Sequence, residues 1–577
     1  IKKTPKTEAK TILKQVAGVV FPGEMLAMLG PSGSGKTTLL TALGGRLSGG
    51  TIAGKITYND KPFCNSIKRN TGFVTQDDVL YPHLTVTETL FYTALLRLPG
   101  NLTAAEKLSQ AEEVITQLGL TKCRHSIVGG PLLRGISGGE RKRVSIGQEM
   151  LINPGLLLLD EPTSGLDSTT AQRIVSLLKD LSGAGKTIVM TIHQPSSRIF
   201  YMFQKVLLLC DGNPLFFGKG SDSLNYFSGI GFSPAVAMNP ADFFLDLANG
   251  YYTGDSSEDQ TQVKDLLIKS YRTTLQSTVR KELAGESQLL LHHHHLHVNL
   301  SDKKKRSWSN SWCQQFSVLF RRGMKERKHE YFSGFRIFQV IAIAVLSGLL
   351  WWNSHDLEDQ VGLLFFTSGF WGFYPLFQAI FIFPKEKMML KKERSSGMYR
   401  LSSYFMALNL SDLPMQLVLP TAFFAVIYFM SGLRPSPAAF FSALSVLLFS
   451  VLVSHSLGLA IGAAVMDEKS ATMMGTVIML GFLLAGGYYV RHVAGFVSWI
   501  KYVSISHYTY KLLIGAQFEG GERYDCGGRV CFVRDFPMVK AVGLGGSGWS
   551  VGAMVIMLVV YSVVAYLALM RIGVTRR

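Results

Sequence analysis

Acidic residues are in short supply: 40 Asp and Glu face 58 Lys and Arg, giving a formal charge of +18 on 577 residues. Charge of either sign is sparse at 17%, and mean hydropathy is positive at +0.22. A uniformly soluble protein does not combine these traits, so a basic soluble part is expected to be joined to a very apolar one. The basic residues form no stripe with interleaved aromatics, which argues against nucleic acid as a partner. Their surplus suits cytoplasmic loops facing an anionic leaflet. Cysteine is also rare. Cys64, Cys123, Cys210 and Cys313 are scattered and suit reduced structural thiols, whereas Cys526 and Cys531 share one polar loop. The chain begins at Ile1 without a signal peptide, so it is expected to be trimmed, with membrane insertion left to an internal segment.

What is present starts with Gly30-Pro31-Ser32-Gly33-Ser34-Gly35-Lys36-Thr37, which fits G-x-x-x-x-G-K-[ST]. Glu24 to Leu29 before it reads as a buried strand, and Thr38 to Leu43 after it opens a helix. Strand, glycine loop and helix N-terminus together aim backbone N–H groups at a polyphosphate, which points to ATP. Lys36 is placed to reach the β- and γ-phosphates, and the Thr37 hydroxyl to ligate Mg²⁺. Thr38 belongs to the same stretch.

Further along, a strand from Thr71 ends in Gln76, whose amide suits Mg²⁺ or the attacking water. Ser137-Gly138-Gly139-Glu140 precedes a helix expected over Arg141 to Leu151 and forms a second anion-binding terminus. Leu156 to Leu159 is an apolar strand ending in Asp160 and Glu161, which divides the labour between holding Mg²⁺ and acting as general base. Ser164-Gly165-Leu166-Asp167 follows, and Thr187 to Ile192 delivers His193, suited to the γ-phosphate and the water.

These residues resemble the ATP-binding cassette family. Ser137 to Glu140 is similar to its signature, Gln76 to its Q-loop glutamine, Ser164 to Asp167 to its D-loop and His193 to its switch histidine. In that family the signature of one subunit completes the nucleotide site on the phosphate loop of another, and this chain has one cassette. The resemblance therefore implies a half-transporter working with a second copy or a related half-transporter. It also implies an adenine-stacking aromatic upstream of the loop, and no aromatic precedes Phe21.

The tract Asn239 to Asp246 is similar to a motif of subfamily G, whose half-size members place the cassette before the membrane domain. The expected organisation is an α/β P-loop nucleotide-binding domain over 1–249 and a cytosolic linker over 250–308. An all-α six-helix transmembrane domain with a re-entrant extracellular loop then fills 309–577. The polar linker carries His292 to His295 and His297, read as a variable tract rather than a metal site. Trp312, Phe316 and Leu319 fall at helical spacing, which predicts a connecting helix over 309–330 along the inner membrane surface. Six spans are expected near 335–352, 361–383, 407–430, 438–465, 471–490 and 549–570. This count leaves Lys385 to Arg400 and the tail Arg571 to Arg577 on the cytosolic side, as the positive-inside rule asks. Cassette and both termini are thus expected in the cytosol, beneath a plasma membrane.

Lys385 to Tyr399 resembles the subfamily's coupling segment, and Glu386 or Glu393 is a candidate partner for an arginine such as Arg327. In the loop 491–548, an apolar stretch from Val493 to Phe518 reads as hairpins dipping into the outer leaflet, Cys526 and Cys531 suit a disulfide, and no Asn-x-Ser/Thr occurs. The subfamily lines an axial cavity with its second and fifth helices. Phe366, Phe370, Phe373 and Phe377 share one face of the second and suit a flat apolar ligand. Thr476, Leu480 and Leu483 match cavity positions on the fifth, and Tyr488-Tyr489 the exit gate. Asp412 and His455, inside spanning runs, are functional candidates by default. Tracts such as Lys142 to Ile146, Arg394 to Met398 and Leu401 to Phe405 extend the resemblance to plant half-size members, particularly exporters of abscisic acid and cytokinin. An amphipathic hormone-like substrate is expected, with lipid, sterol or cutin-precursor export as the alternative and a regulatory ATPase as a third reading.

Overall fold

The structure is a computed structural model. It describes all residues except 1–10, 48–49, 132, 235–237, 252–256, 284–307, 332–333, 491–494, 520, 526–529 and 573–577. Two compact units emerge. The first comprises Ile1–Gln314, Lys392–Tyr399 and Thr575–Arg577, and the second Gln315–Lys391 and Arg400–Val574. The histidine tract, residues 252–256 and 284–307 of the expected linker, Cys526 and much of the basic tail lie outside the described residues.

The first unit is built on a six-stranded sheet. Its strands are β1 (Met25–Leu29), β2 (Thr71–Val74), β3 (Leu156–Leu159), β4 (Thr187–Thr191), β5 (Lys205–Cys210) and β6 (Asn213–Lys219), in the order β2-β3-β4-β1-β5-β6. Only the β5–β6 pair is antiparallel. β1 and β5 are buried along their whole length, because helices cover both faces of a mainly parallel sheet. Helix α1 (Lys36–Leu43) leaves the phosphate loop. Helices α2 (Val86–Arg97), α3 (Ala104–Gln117) and α4 (Gly138–Met150) form a helical layer. Each opens on a capping box, from Thr85, Thr103 and Ser137 respectively, so all three starts are written locally. Helix α5 (Ser168–Gly183) precedes β4, α6 (Pro240–Asn249) follows β6, and a further helix over Ser257–Ser270 packs on the same core through Leu267, with Tyr271 and Val279 buried beyond it.

The second unit is helical. It contains most of α7 (Trp312–Tyr331), then α8 (Gly334–Leu350), α9 (Leu357–Ile380) and most of α10 (Ile382–Ser396), followed by α11 (Leu401–Met430), α12 (Pro437–Val465), α13 (Glu468–Leu484), α14 (Ile505–Gln517) and α15 (Ser547–Met570). Two glycines let α12 approach α9 closely: a Cβ on Gly458 would lie 2.4 Å from the Leu376 carbonyl oxygen, and one on Gly462 2.5 Å from that of Ile380. Among the described residues, four helices are long and apolar enough to cross a membrane: Leu357–Ser396, Leu401–Met430, Pro437–Val465 and Ser547–Met570. Trp312–His329 with Gly334–Leu350, bent by 70°, adds a fifth if counted as one broken span. Two of the six expected spans fall short by that measure, since α8 and α13 have 17 residues each. α13 ends before the expected 490 because Gly486 and Gly487 follow it, the latter at φ 96°. α11 begins earlier than expected, at Leu401. Past α13, the loop carries α14 and a short hairpin of Arg523–Asp525 with Val530–Phe532. Cys531 is disulfide-bonded.

Candidate functional site

The phosphate loop joins β1 to α1 through backbone that only glycine adopts easily. Gly30 has φ 145°, and a Cβ there would lie 2.2 Å from the Leu209 carbonyl oxygen. Lys36 curls over the loop, its Nζ donating to Gly30 O at 2.7 Å and Pro31 O at 2.9 Å. Burial pulls its pKa down, while Glu161 and Asp160 oppose the shift. The ammonium is thus held over the loop by acceptors that phosphate oxygens can replace.

Asp160 and Glu161 stand where β3 ends. Thr37 Oγ1 donates to Asp160 Oδ1 at 3.0 Å, and Thr191 Oγ1 donates to the same oxygen at 2.7 Å. The Glu161 N–H in turn donates to Thr191 Oγ1 at 2.8 Å, and Gln76 Nε2 donates to Glu161 Oε2 at 2.9 Å. Glu161 has φ 45°, a strained value for a side-chain-bearing residue. Gln76, Glu161, Asp160 and Thr37 are therefore linked by one chain of hydrogen bonds. The adjoining oxygens of Thr37 and Asp160 are hard donors of the kind Mg²⁺ prefers, so the residues fit that ion beside a bound triphosphate. His193 is exposed just beyond β4.

The Q-loop continues this chain toward α4. Lys142 Nζ donates to Gln76 O at 2.8 Å and pairs with Asp78 at 3.0 Å. Burial raises the Asp78 pKa despite that pairing. Neither Thr191 nor Lys142 was singled out for a site role from the sequence; Thr191 carried a signal, standing two residues before His193 on the same strand.

Ser137 to Glu140 are occupied with one another. Ser137 Oγ accepts from the Glu140 N–H at 3.3 Å, and Glu140 Oε2 accepts from the Ser137 N–H at 2.9 Å. Gly138 and Gly139 face Leu166 and Thr170, and Asp167 caps α5 by accepting from the Thr170 N–H at 3.0 Å. The Ser137–Glu140 hydrogen bonds stay within the signature, and Gly138 lies against Leu166 of the D-loop.

Residues 392–399 belong to this first unit. Lys392 Nζ donates to Gln148 Oε1 at 2.7 Å and Val79 O at 2.9 Å. Arg46 donates to Ser395 Oγ at 2.9 Å and Ser396 Oγ at 3.0 Å. Glu393 is buried and accepts from the Tyr399 hydroxyl at 2.6 Å. Glu386 lies in the second unit, 2.7 Å from Arg327 Nη2. Arg327 also bonds Asp412 through its other nitrogen, and His455 Nε2 lies 3.7 Å from Asp412. Asp412 and His455 thus meet at one node that joins α7, α10, α11 and α12.

The aromatic face of α9 divides. Phe366 stacks on Trp351, and Phe370 stacks on Phe423 at 5.0 Å and 9°, so both rings are used in packing against α8 and α11. Phe373 and Phe377 stack on each other at 6.0 Å and are half-buried. On α13, Thr476 is half-buried, Leu483 faces Gly369, and Leu480 is 46% exposed. Met473, Val477, Leu480 and Leu484 make an exposed apolar stripe at helical spacing. Tyr488 and Tyr489 lie beyond the helix end; Tyr488 stacks on Phe365 at 4.6 Å and Tyr489 meets the same ring edge-on.

Residues 13–164 match the family described as ABC transporter, and residues 314–518 and 193–272 match two families described as ABC-2 type transporter. The chain is 55% identical to ABC transporter G family member 21 of Arabidopsis thaliana, over 97% of this chain and 85% of that protein. It is also 55% identical to G family member 14 of the same plant, over 98% of this chain and 88% of that protein. Identity to the broad substrate specificity ATP-binding cassette transporter ABCG2 of Bos taurus is 33%, over 98% of this chain and 91% of that protein.

Proposed function

Because this chain belongs to the G family of ATP-binding cassette transporters, multi-pass half-transporters that dimerise and couple ATP hydrolysis to export, we propose that it exports a small amphipathic hormone of the abscisic acid or cytokinin type. One observation carries this reading. Met473, Val477, Leu480 and Leu484 form an exposed stripe on α13 without a charged side chain, half-buried Thr476 lies on the same helix, and Phe373 and Phe377 are half-buried on α9. Such a wall takes a flat, largely apolar molecule whose polar groups are met at a few points.

In this reading a second copy supplies Ser137 to Glu140 to the phosphate loop, and the two α13 stripes face a shared path through the plasma membrane. Six crossings keep the cassette and both termini in the cytosol. Glu161 acts as general base, His193 and Gln76 orient water and γ-phosphate, and Thr37, Gln76 and Asp160 serve Mg²⁺. Glu386 and Glu393 transmit the motion. Tyr488 and Tyr489 border the exit, and Cys526 bonds Cys531 on the oxidising side.

Inside-out vesicles containing the protein should take up labelled abscisic acid or trans-zeatin only with ATP, and Glu161→Gln vesicles should not. ATP-dependent uptake of a labelled sterol alone would replace the hormone reading with the lipid one.

A further inference from the structure

Helix α14 packs against three neighbours, and its hydroxyls fare differently against each. Toward α13, Ser504, which caps α14, donates from Oγ to Phe482 O at 2.8 Å. Toward α12, Thr509 Oγ1 donates to Ser450 Oγ at 2.8 Å. Toward α9 the hydroxyls find nothing. Ser506 Oγ stands 3.9 Å from where a Cβ on Gly372 would lie, and Ser368 Oγ bonds the Ser506 carbonyl, at 3.4 Å, not its hydroxyl. One turn on, the Tyr510 ring meets Phe365 edge-on at 5.2 Å. Ser506 is 1% exposed and Tyr510 0%, and neither hydroxyl has a hydrogen-bond partner among the described residues. A buried hydroxyl costs free energy until something accepts its proton, and the bilayer interior offers no bulk water to do so. Both unmet donors lie on the side of α14 that faces α9.

The rings around Tyr510 are unequally held. Phe365 sits on α9 and is buried, whereas Tyr488, flat on Phe365 at 4.6 Å and 6.3 Å from the Tyr510 ring, stands outside any helix. Gly486 and Gly487 directly precede it, the second at φ 96°, and Gly362 leaves room for its hydroxyl. Stacking has no directional bond, so another flat conjugated ring can take the place of Tyr488 on Phe365. Such a ring brings its heteroatoms beside Tyr510. We propose that Tyr510 is a specificity-determining residue: when Tyr488 leaves Phe365, the transported molecule stacks there and accepts a hydrogen bond from the Tyr510 hydroxyl. The subsite takes a flat conjugated molecule bearing an acceptor oxygen or nitrogen, and a saturated lipid chain meets neither condition. The inference rests on the reading that the substrate is a hormone-like amphipath.

The test uses Tyr510→Phe, which removes one oxygen atom, in the full chain in nanodiscs carrying Glu161→Gln to hold nucleotide. Binding of labelled abscisic acid and trans-zeatin is measured with and without MgATP. With MgATP, where the gate is open, Tyr510→Phe should weaken binding of the hormone that the parent takes by about fivefold or more. Without nucleotide, where Tyr488 covers Phe365, it should change binding by less than about twofold. The thermal unfolding temperature should hold or rise, because the hydroxyl removed had no partner. An equal loss in both states is the mark of a structural role and overturns the proposal, as does no loss in either, or a parent that binds only without MgATP. A lowered unfolding temperature with unchanged binding would assign the hydroxyl to a buried water and also overturns it. A parent that binds neither hormone in either state would instead overturn the hormone reading itself.

Discussion

In the cassette unit, Arg97 meets Glu149 at 2.7 Å with both side chains almost out of water, and Lys392 donates to Gln148 nearby. In the helical unit, similar depth is filled by rings, with Phe370 flat on Phe423 at 5.0 Å and Phe365 on Tyr488 at 4.6 Å. The two solutions respond differently to motion. A buried ion pair is directional and expensive to leave half-made, so it holds helices as one body. Stacked rings keep most of their attraction as they slide, so neighbouring helices can tilt at small cost. The exception sharpens the contrast: the one buried charge node described in the second unit, Arg327 with Asp412 and Glu386 and His455 beside Asp412, ties four helices at a single point.

The cassette's dependence on directional contacts is tested most severely at Glu161. Glu161→Gln should lower ATP hydrolysis by about 10²- to 10⁴-fold in a phosphate-release assay, while nucleotide binding persists. Glu149→Ala strands Arg97 and should cost about 3–5 kcal/mol of cassette stability, read as a lowered unfolding transition. The same residue sets a pH signature. Burial pushes the Glu149 pKa up, but Arg97, Arg46 and Lys392 together hold it below the ordinary 4.5. Its contribution is complete above that value and is lost as pH falls through the depressed one, so Glu149→Gln should flatten acid destabilisation of the cassette.

In the helical unit the expected effects are smaller. Gly458→Leu forces α12 off α9 and should destabilise by roughly 1–3 kcal/mol, measured by thermal unfolding in detergent. If the proposed hormone is the substrate, Phe373→Ala should weaken its binding by about 0.5–1.5 kcal/mol in a radioligand assay, with stability nearly unchanged. Phe370→Ala should show the reverse, losing stability through Phe423 rather than affinity. If both behave alike, the division of the α9 face is wrong.

How much could be read beforehand follows the same contrast. Strand, loop and helix around Lys36 are contiguous, so their motif and its geometry were legible together. Gln76, Glu161 and His193 each end a strand, and parallel pairing brings strand ends to one edge of the sheet. Lys392 with Gln148 and Lys107 with Asn310 were not legible, because 244 and 203 residues separate the partners and no periodicity announces them. The aromatic repeat on α9 revealed a shared face but not that Phe366 and Phe370 are spent on packing, since that depends on where Trp351 and Phe423 arrive. The end of α13 was legible in Gly486-Gly487, and the apolar run past it outweighed that signal.

The membership of residues 392–399 in the first unit bears on how the protein is made. Synthesis runs from the N-terminus, and an early domain ordinarily folds once it has emerged. This cassette is incomplete at that moment: Gln148 and Val79 await the ammonium of Lys392, and Arg46 awaits Ser395 and Ser396. Those residues emerge only after α8 and α9 have been synthesised. Completion of the cassette is therefore a late event in biogenesis, and a chain whose α9 fails to insert carries an unfinished ATPase as the mark of its failure.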